Sequence, residues 1–445
     1  MHKALVLTAL FSALSVAAAT ASADRDSRYF NGKYEDYYEG HGYYDNSGRK
    51  KQDESVQLGP RPFYLIEGMD EGKLKSRLLQ CKDGPFYRSD FSIGHRGAAL
   101  QFPEHTKESY EAGARMGAGI VECDVTFTVD GDLVCRHAEC DLHTTTNILV
   151  TGLASKCEVN WSGPNQTPAP KCCTSALTLA EFKSLQGKMD SSNPAAATVE
   201  GYLGGNPTWR TELYTGRGTL VTLDESIKLN QKNGVKHTPE LKEGDPQRIA
   251  TTFGGQDKYA QKLVDTLVEN GVNPRDAWPQ SFNVNDILYW VKNTGYGKQA
   301  AFLIDYDAVN DDIILRDEAG QPVPPADRPA FFKRLKRTGV EIIAPAMPAL
   351  LAVTSDGQIV PSKFAQDLKA WGFDIITWTF ERADLRKGAS KAGFYYDFDP
   401  TGKAIKKDSD MYKALDVLAR KVGILGIFSD WPATVTYYAN CMGLK

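Results

Sequence analysis

From residue 91 onward the chain alternates short apolar runs with longer stretches of helical period. Runs at about 91–94, 119–125, 132–136, 235–240, 277–282, 300–305, 341–345, 374–380 and 424–428 are apolar and β-branched enough to read as strands. Amphipathic segments lie between most of them. TLDESIKLNQKNG starts after a Thr cap and stops on Gly234. DKYAQKLVDTLVENG, PADRPAFFKRLKRTG, PSKFAQDLKAWG and SDMYKALDVLARKVG also end on glycine. Strand–helix units repeated this often predict a parallel sheet closed on itself, an α/β fold of the (β/α)8 TIM-barrel class. The runs number nine, one more than such a barrel holds. The VDGD turn inside 119–136 allows one of them to be half of a hairpin.

One stretch breaks the rhythm. Residues 138–215 hold four cysteines, several Pro and Gly, and little period, and they read as a disulfide-stapled insertion between early barrel strands. The insertion carries two N-glycosylation patterns, Asn160-Trp161-Ser162 and Asn165-Gln166-Thr167. Residues 24–60 are rich in Tyr, Asp, Gly and Lys without any period, and predict a mobile tail or a sticky binding stretch. From FYLIEGM at 63–69 the chain becomes foldable, and DEGKLKSRLLQ predicts a short helix.

Composition narrows the setting. Of 445 residues, 42% are hydrophobic and 24% charged, an ordinary globular balance. The net charge of −4 carries no basic signature for nucleic acid, so anion recognition has to come from a local cluster. Lys3, the apolar stretch Ala4 to Ala19 and the small residues Ala21-Ser22-Ala23 predict a secretory signal cleaved after Ala23. The stretch is Ala-rich and short for a membrane anchor, and no later segment is apolar enough to span a bilayer. Eight cysteines (Cys81, Cys123, Cys135, Cys140, Cys157, Cys172, Cys173 and Cys441) fit an oxidising compartment, extracellular or periplasmic. No paired C-x-x-C spacing suggests zinc, and Cys172 and Cys173 are each expected to bond elsewhere.

Candidate chemistry sits at the strand ends. Glu122 and Asp124, two apart in IVECDV, share one face of a strand, and Cys123 points to the other. Two acids converging on a barrel interior repel unless a cation lies between them; as exposed strand acids they would need none. Glu240 and Lys242 repeat the spacing in HTPELK. Three carboxylates make a hard oxygen site suited to Mg2+ or Ca2+. Lys242 would then serve an anionic substrate. His95 closes the strand before Arg96, and His137 closes DLVCRH. Active sites of such barrels lie at the C-terminal ends of the strands, which brings both histidines to one pocket for proton transfer. His105, His143 and His237 lie near the same region without an assigned role. A divalent metal, two histidines and two cations together favour a phosphate ester as ligand.

The sequence resembles the glycerophosphodiester phosphodiesterase family. The family's ordered motifs appear as His95-Arg96-Gly97, Pro103-Glu104, Glu122-Cys123-Asp124, His137 and Glu240-Leu241-Lys242, followed by Gln280-Ser281-Phe282, Trp378-Thr379 and Ser429-Asp430-Trp431-Pro432. Trp378-Thr379-Phe380-Glu381 departs from the family's usual Trp-Thr-Val-Asn. The resemblance covers roughly residues 91–435 apart from the insertion. It implies a TIM barrel that hydrolyses glycerophosphodiesters, such as glycerophosphocholine, to glycerol 3-phosphate and an alcohol. It assigns acid–base work to His95 and His137, and one Ca2+ or Mg2+ ion to Glu122, Asp124 and Glu240. Arg96 and Lys242 would hold the phosphate, and Trp378 would line the pocket. Two rivals stand beside it: a phospholipase C- or D-type enzyme acting on intact lipids, with Trp161 supplying an apolar surface, and a non-catalytic phosphodiester-binding barrel. The expected partner is a small-molecule glycerophosphodiester, with no nucleic acid and no transmembrane segment in the mature chain.

Overall fold

The structure, a computed structural model, describes residues 56–444. The predicted signal and most of the predicted tail lie outside the described residues. Val56 and Leu58, inside the range assigned to the tail, already pack against the core.

Eight parallel strands close into a barrel: β1 (Ser89–Gly94), β2 (Ala118–Phe127), β3 (Lys236–Leu241), β4 (Gln280–Ser281), β5 (Ala301–Asp307), β6 (Ile342–Pro345), β7 (Asp374–Phe380) and β8 (Gly426–Ser429). Each pairs with the next in sequence, and β8 pairs with β1 to complete the ring. The alternation legible in the sequence is this ring. Its lower interior is filled by Ile93, Ile120, Leu303, Ile342, Ile376 and Phe428, so the barrel is a packed core and only its upper end is free for chemistry. The outward strand faces meet helices that include α1 (Lys107–Arg115), α2 (Leu223–Lys232), α3 (Gln256–Glu269), α4 (Val284–Asn293), α5 (Arg328–Thr338), α6 (Lys363–Ala370), α7 (Met411–Val417) and α8 (Pro432–Met442). Thr222 caps α2 in a reciprocal box with Glu225, as the sequence suggested. Two short helices, Arg61–Glu67 and Lys73–Gln80, precede the barrel.

The ninth run is the hairpin partner. β2 is ten residues long and overshoots the rim; the chain turns at Thr128–Asp132 and returns through Leu133–Cys135, antiparallel to Val125–Phe127. The run at 277–282 contracts to Gln280–Ser281, because Pro279 has no N–H to give the ladder.

The segment after the hairpin is not structureless. Leu142, Ile148, Leu149, Leu177, Phe182, Leu185 and Tyr202 form a second core beside Val134, fed by short helical turns. Trp161 packs partly buried against that core. The Lys188 ammonium donates to the carbonyls of Thr144, Met189 and Ser191 at 2.6, 2.7 and 2.6 Å, tying two loops of the insertion together.

All eight cysteines pair: Cys81–Cys441, Cys123–Cys135, Cys140–Cys173 and Cys157–Cys172. Cys172 and Cys173 reach separate partners, as expected. Cys123, on the outer face opposite Glu122 and Asp124, staples the hairpin that carries His137. Cys81–Cys441 joins the second N-terminal helix to α8. Peptide mapping of the unreduced protein should recover these four cross-links; a Cys140–Cys157 link or free thiols would contradict the insertion's architecture.

Candidate active site

Strand register builds the site. Asp124 stands opposite Glu240, and Glu240 opposite Gln280, so three adjacent strands carry one row of polar side chains at the rim. Glu122 lies two residues below Asp124 on the same face. Gly94 pairs with Val121, which brings His95 level with Glu122. His137 arrives from the opposite direction: the returning hairpin pairs Cys135 with Val125 and sets the Arg136 N–H on the Asp124 carbonyl at 2.8 Å. The overshoot of β2 is what delivers a second histidine to the level of the acids.

Together these residues line a cavity of about 600 Å³ at the barrel mouth, a size suited to a small ligand. Its walls include His95, Arg96, Glu122, Asp124, His137, Glu240, Lys242 and Trp378, the whole set singled out in the sequence. His105, His143 and His237 do not line it.

The carboxylates Glu122, Asp124 and Glu240 converge with oxygens within 4.8 Å of one another. Glu122 accepts the Arg96 backbone N–H at 2.9 Å and the Gln280 amide at 3.0 Å. Asp124 pairs with the buried His105 Nε2 at 2.8 Å, and Glu240 with Lys242 at 2.6 Å. Burial, with the charges of Asp124 and Glu240 beside it, pushes Glu122 well above the usual carboxylate range. Burial likewise lifts Glu240 to about 8 although Lys242 opposes it. Burial would raise Asp124 too, but Lys242, His105 and His137 outweigh it and hold that carboxyl well below the usual range. Three carboxylates here cannot all stay ionised alone. Asp124 Oδ1 is buried with no hydrogen-bond partner, and so is Gln280 Oε1. An all-oxygen cluster with an unsatisfied carboxylate oxygen fits a hard divalent cation.

The turn at His95-Arg96-Gly97 is set by packing. Arg96 has φ 52° and Gly97 φ 97°, and the Arg96 N–H reaches Glu122. A Cβ on Gly97 would sit 2.4 Å from Ser109 Oγ, so the first turn of α1 can close on this loop only over glycine. The Arg96 guanidinium reaches Glu104 at 2.6 Å and lies 3.6 Å from Asp124.

His95 Nδ1 meets Asp430 at 2.5 Å. Asp430 is ionised: burial works against it, but Arg382 and His95 hold it below its usual value. The proton therefore lies on Nδ1, and Nε2 presents its lone pair to the cavity. Burial lowers His95 to about 4 despite Asp430, so the ring is neutral in the free protein. His137 is also pushed well below its usual value, by burial and then by Arg96 and Lys242. Among the described residues its ring makes no hydrogen bond.

Sequence reading assigned no role to the groups behind these. Arg382 donates to Asp430 at 2.9 Å and to Asp190 at 2.8 Å, and Arg210 clamps Asp190 at 2.6 Å. A run of alternating charges thus leads from His95 into the insertion. His105 orients Asp124 while donating to or accepting from Tyr110 at 2.9 Å. Glu381, where the strand-end motif departs from the family's, turns away from the cavity to Arg61 and Thr434.

A sequence model described as the glycerophosphoryl diester phosphodiesterase family matches residues 95–434. An extracellular protein of Arthroderma benhamiae is 38% identical over 259 residues, which span 58% of this chain and 100% of that relative. The glycerophosphodiester phosphodiesterase GDPD6 of Arabidopsis thaliana is 22% identical over 391 residues, 85% of this chain and 91% of the relative. A crystal structure from Silicibacter pomeroyi, assigned to the glycerophosphoryl diester phosphodiesterases, superposes with a TM-score of 0.50 at 16% identity, covering 83% of this chain and 97% of that one, and supports the fold. The extracellular relative and the four disulfides make this a secreted protein. Among the described residues no helix is long and apolar enough to cross a membrane.

Proposed function

The chain belongs to the glycerophosphoryl diester phosphodiesterase family, and from that premise we propose that it hydrolyses glycerophosphodiesters to glycerol 3-phosphate and an alcohol in the cavity at the barrel mouth. The observation that carries the reading is the convergence of three carboxylates, one with an unpartnered oxygen, beside two histidines in one cavity. A divalent ion of the Ca2+ or Mg2+ kind, held by Glu122, Asp124 and Glu240, would supply Lewis-acid stabilisation of the phosphoryl oxygens.

The chain's own groups do the rest. Arg96 and Lys242 are held in place by Glu104 and Glu240 and present positive charge to the phosphate. His95 Nε2 takes the proton from the glycerol 2-hydroxyl, and the Asp430 carboxylate stabilises the imidazolium that forms. The freed oxygen attacks phosphorus and closes a five-membered cyclic phosphate as the P–O bond to the alcohol breaks. His137 gives that alcohol its proton. The anionic diester beside His137 favours the protonated ring that this step needs. Water then opens the ring with the two histidines in reversed roles, which leaves glycerol 3-phosphate. Trp378 forms part of the wall that the substrate meets.

Two readouts test the site. Elemental analysis and calorimetry should find a bound divalent ion, Glu240→Gln should weaken it far more than it lowers the melting temperature, and chelation should abolish turnover. Full activity after exhaustive chelation, with no ion detected, contradicts the site. Deacylated glycerophosphodiesters should be cleaved and intact phosphatidylcholine vesicles left; the reverse outcome selects the phospholipase reading.

A further inference from the structure

Away from the carboxylates the cavity wall changes character. Phe282, Trp378 and Tyr395 line it, with Leu303 and Asp305 from β5. Alternation along β5 puts Leu303 and Asp305 on the same inward face. The rings are fixed with respect to one another. Trp378 meets Phe282 edge-on at 5.7 Å and Tyr395 at 6.4 Å, stacks on Phe394 at 6.2 Å, and donates its indole N–H to the Ala344 carbonyl at 2.9 Å. Phe394 in turn touches Tyr306 at 6.1 Å, which sets the turn carrying Tyr395 against the end of β5 next to Asp305.

Several of the cavity's acids are neutralised by a neighbouring cation. Glu104 pairs with Arg96, Asp190 with Arg210 and Arg382, and Glu240 with Lys242. The Asp305 carboxylate accepts only the neighbouring Tyr306 N–H, at 2.8 Å, and among the described residues it pairs with no cation. Lys242 already lies over Phe282, 5.7 Å from the ring centre, so the aromatic surface left for a ligand is that of Trp378 and Tyr395.

Aromatic rings beside one unpaired carboxylate are the chemistry that recognises a quaternary ammonium: the ring quadrupoles attract the positive charge, and the methyl groups ask for no hydrogen bonds. A primary ammonium would want several acceptors and a polyol several donors and acceptors, whereas the polar side-chain groups of this wall are the Asp305 carboxylate and the Tyr395 hydroxyl, the rest being aromatic face and Leu303. We propose that Asp305, Trp378 and Tyr395 form a subsite for the trimethylammonium group of the diester's alcohol, so that the enzyme prefers glycerophosphodiesters of quaternary-ammonium alcohols. The proposal rests on the hydrolytic reading for its substrate, and its test separates the two.

The measurement is kcat/KM for glycerophosphocholine, glycerophosphoethanolamine and glycerophosphoglycerol. Wild type should favour glycerophosphocholine over glycerophosphoglycerol by about tenfold or more, with glycerophosphoethanolamine between them. Asp305→Asn and, separately, Tyr395→Leu should each narrow that ratio several-fold, chiefly through KM for glycerophosphocholine. A ratio that neither variant moves, or a wild type that treats the three alike, overturns the subsite. Failure of the hydrolytic reading shows instead as no cleavage of any of the three. Titration calorimetry with tetramethylammonium then still decides: binding weakened by Asp305→Asn supports the subsite, and identical heats in both proteins overturn it.

Discussion

The 2-deoxy analogue of glycerophosphocholine should be turned over at least about a hundredfold more slowly than glycerophosphocholine itself, because an intramolecular nucleophile held against phosphorus gains several orders of magnitude over an external one. The site favours that route on two grounds. His95 is neutral, with its proton fixed on Nδ1 by Asp430, so Nε2 is available as a base. The cavity is lined by residues that hold charge in place, with Arg96 and Lys242 each clamped by a carboxylate before substrate arrives. Removing the hydroxyl leaves the leaving group, the phosphate contacts and both histidines untouched. Equal rates for the two diesters would remove the neighbouring hydroxyl from the mechanism and leave direct attack by water.

The second large effect concerns the histidines. His95→Ala and His137→Ala should each lower turnover of glycerophosphocholine by roughly a hundredfold or more, the usual loss for a proton-transfer group. Their dependence on the leaving group should differ. In the proposed mechanism His137 protonates the departing alcohol, so its loss should matter much less for a glycerophosphodiester of an acidic phenol, which departs without a proton. The role proposed for His95 is on the other oxygen, so its loss should be felt with both substrates. Steady-state kinetics of the two variants on the choline and phenol diesters read this directly. Equal rescue of both variants by the phenol would contradict the division of labour.

Much of this site was legible in the sequence because it depends on local rules. The two-residue spacing in Glu122-Cys123-Asp124 puts both acids inward and the cysteine outward, and the Cys123–Cys135 bond lies on the outer face as that parity requires. Glu240 and Lys242 follow the same rule, and His95 follows from the position of a strand end. The rest depends on where distant loops meet. Asp190 and Arg210 come from the insertion, and Arg382 follows β7; only the folded chain sets them in line behind His95. Asp430 had a signal that went unused, for it follows the last residue of β8 just as His95 follows the last residue of β1. Two groups one step past adjacent parallel strands are neighbours at the rim. His105 gave no such hint, because its role arises from α1 folding back so that Tyr110 and Asp124 flank one ring. The insertion showed no period because its core is built from short turns and disulfides rather than from long elements.

The position of bond cleavage tests the account most directly. Purified protein with glycerophosphocholine and either Ca2+ or Mg2+ can be followed by phosphorus NMR, with the products identified by mass spectrometry. Cleavage between phosphorus and the choline oxygen is predicted, giving glycerol 3-phosphate and free choline, and all of it should stop on chelation. Release of phosphocholine and glycerol, or no cleavage while the protein still binds the diester, would contradict the assignment of the cavity to glycerophosphodiester hydrolysis.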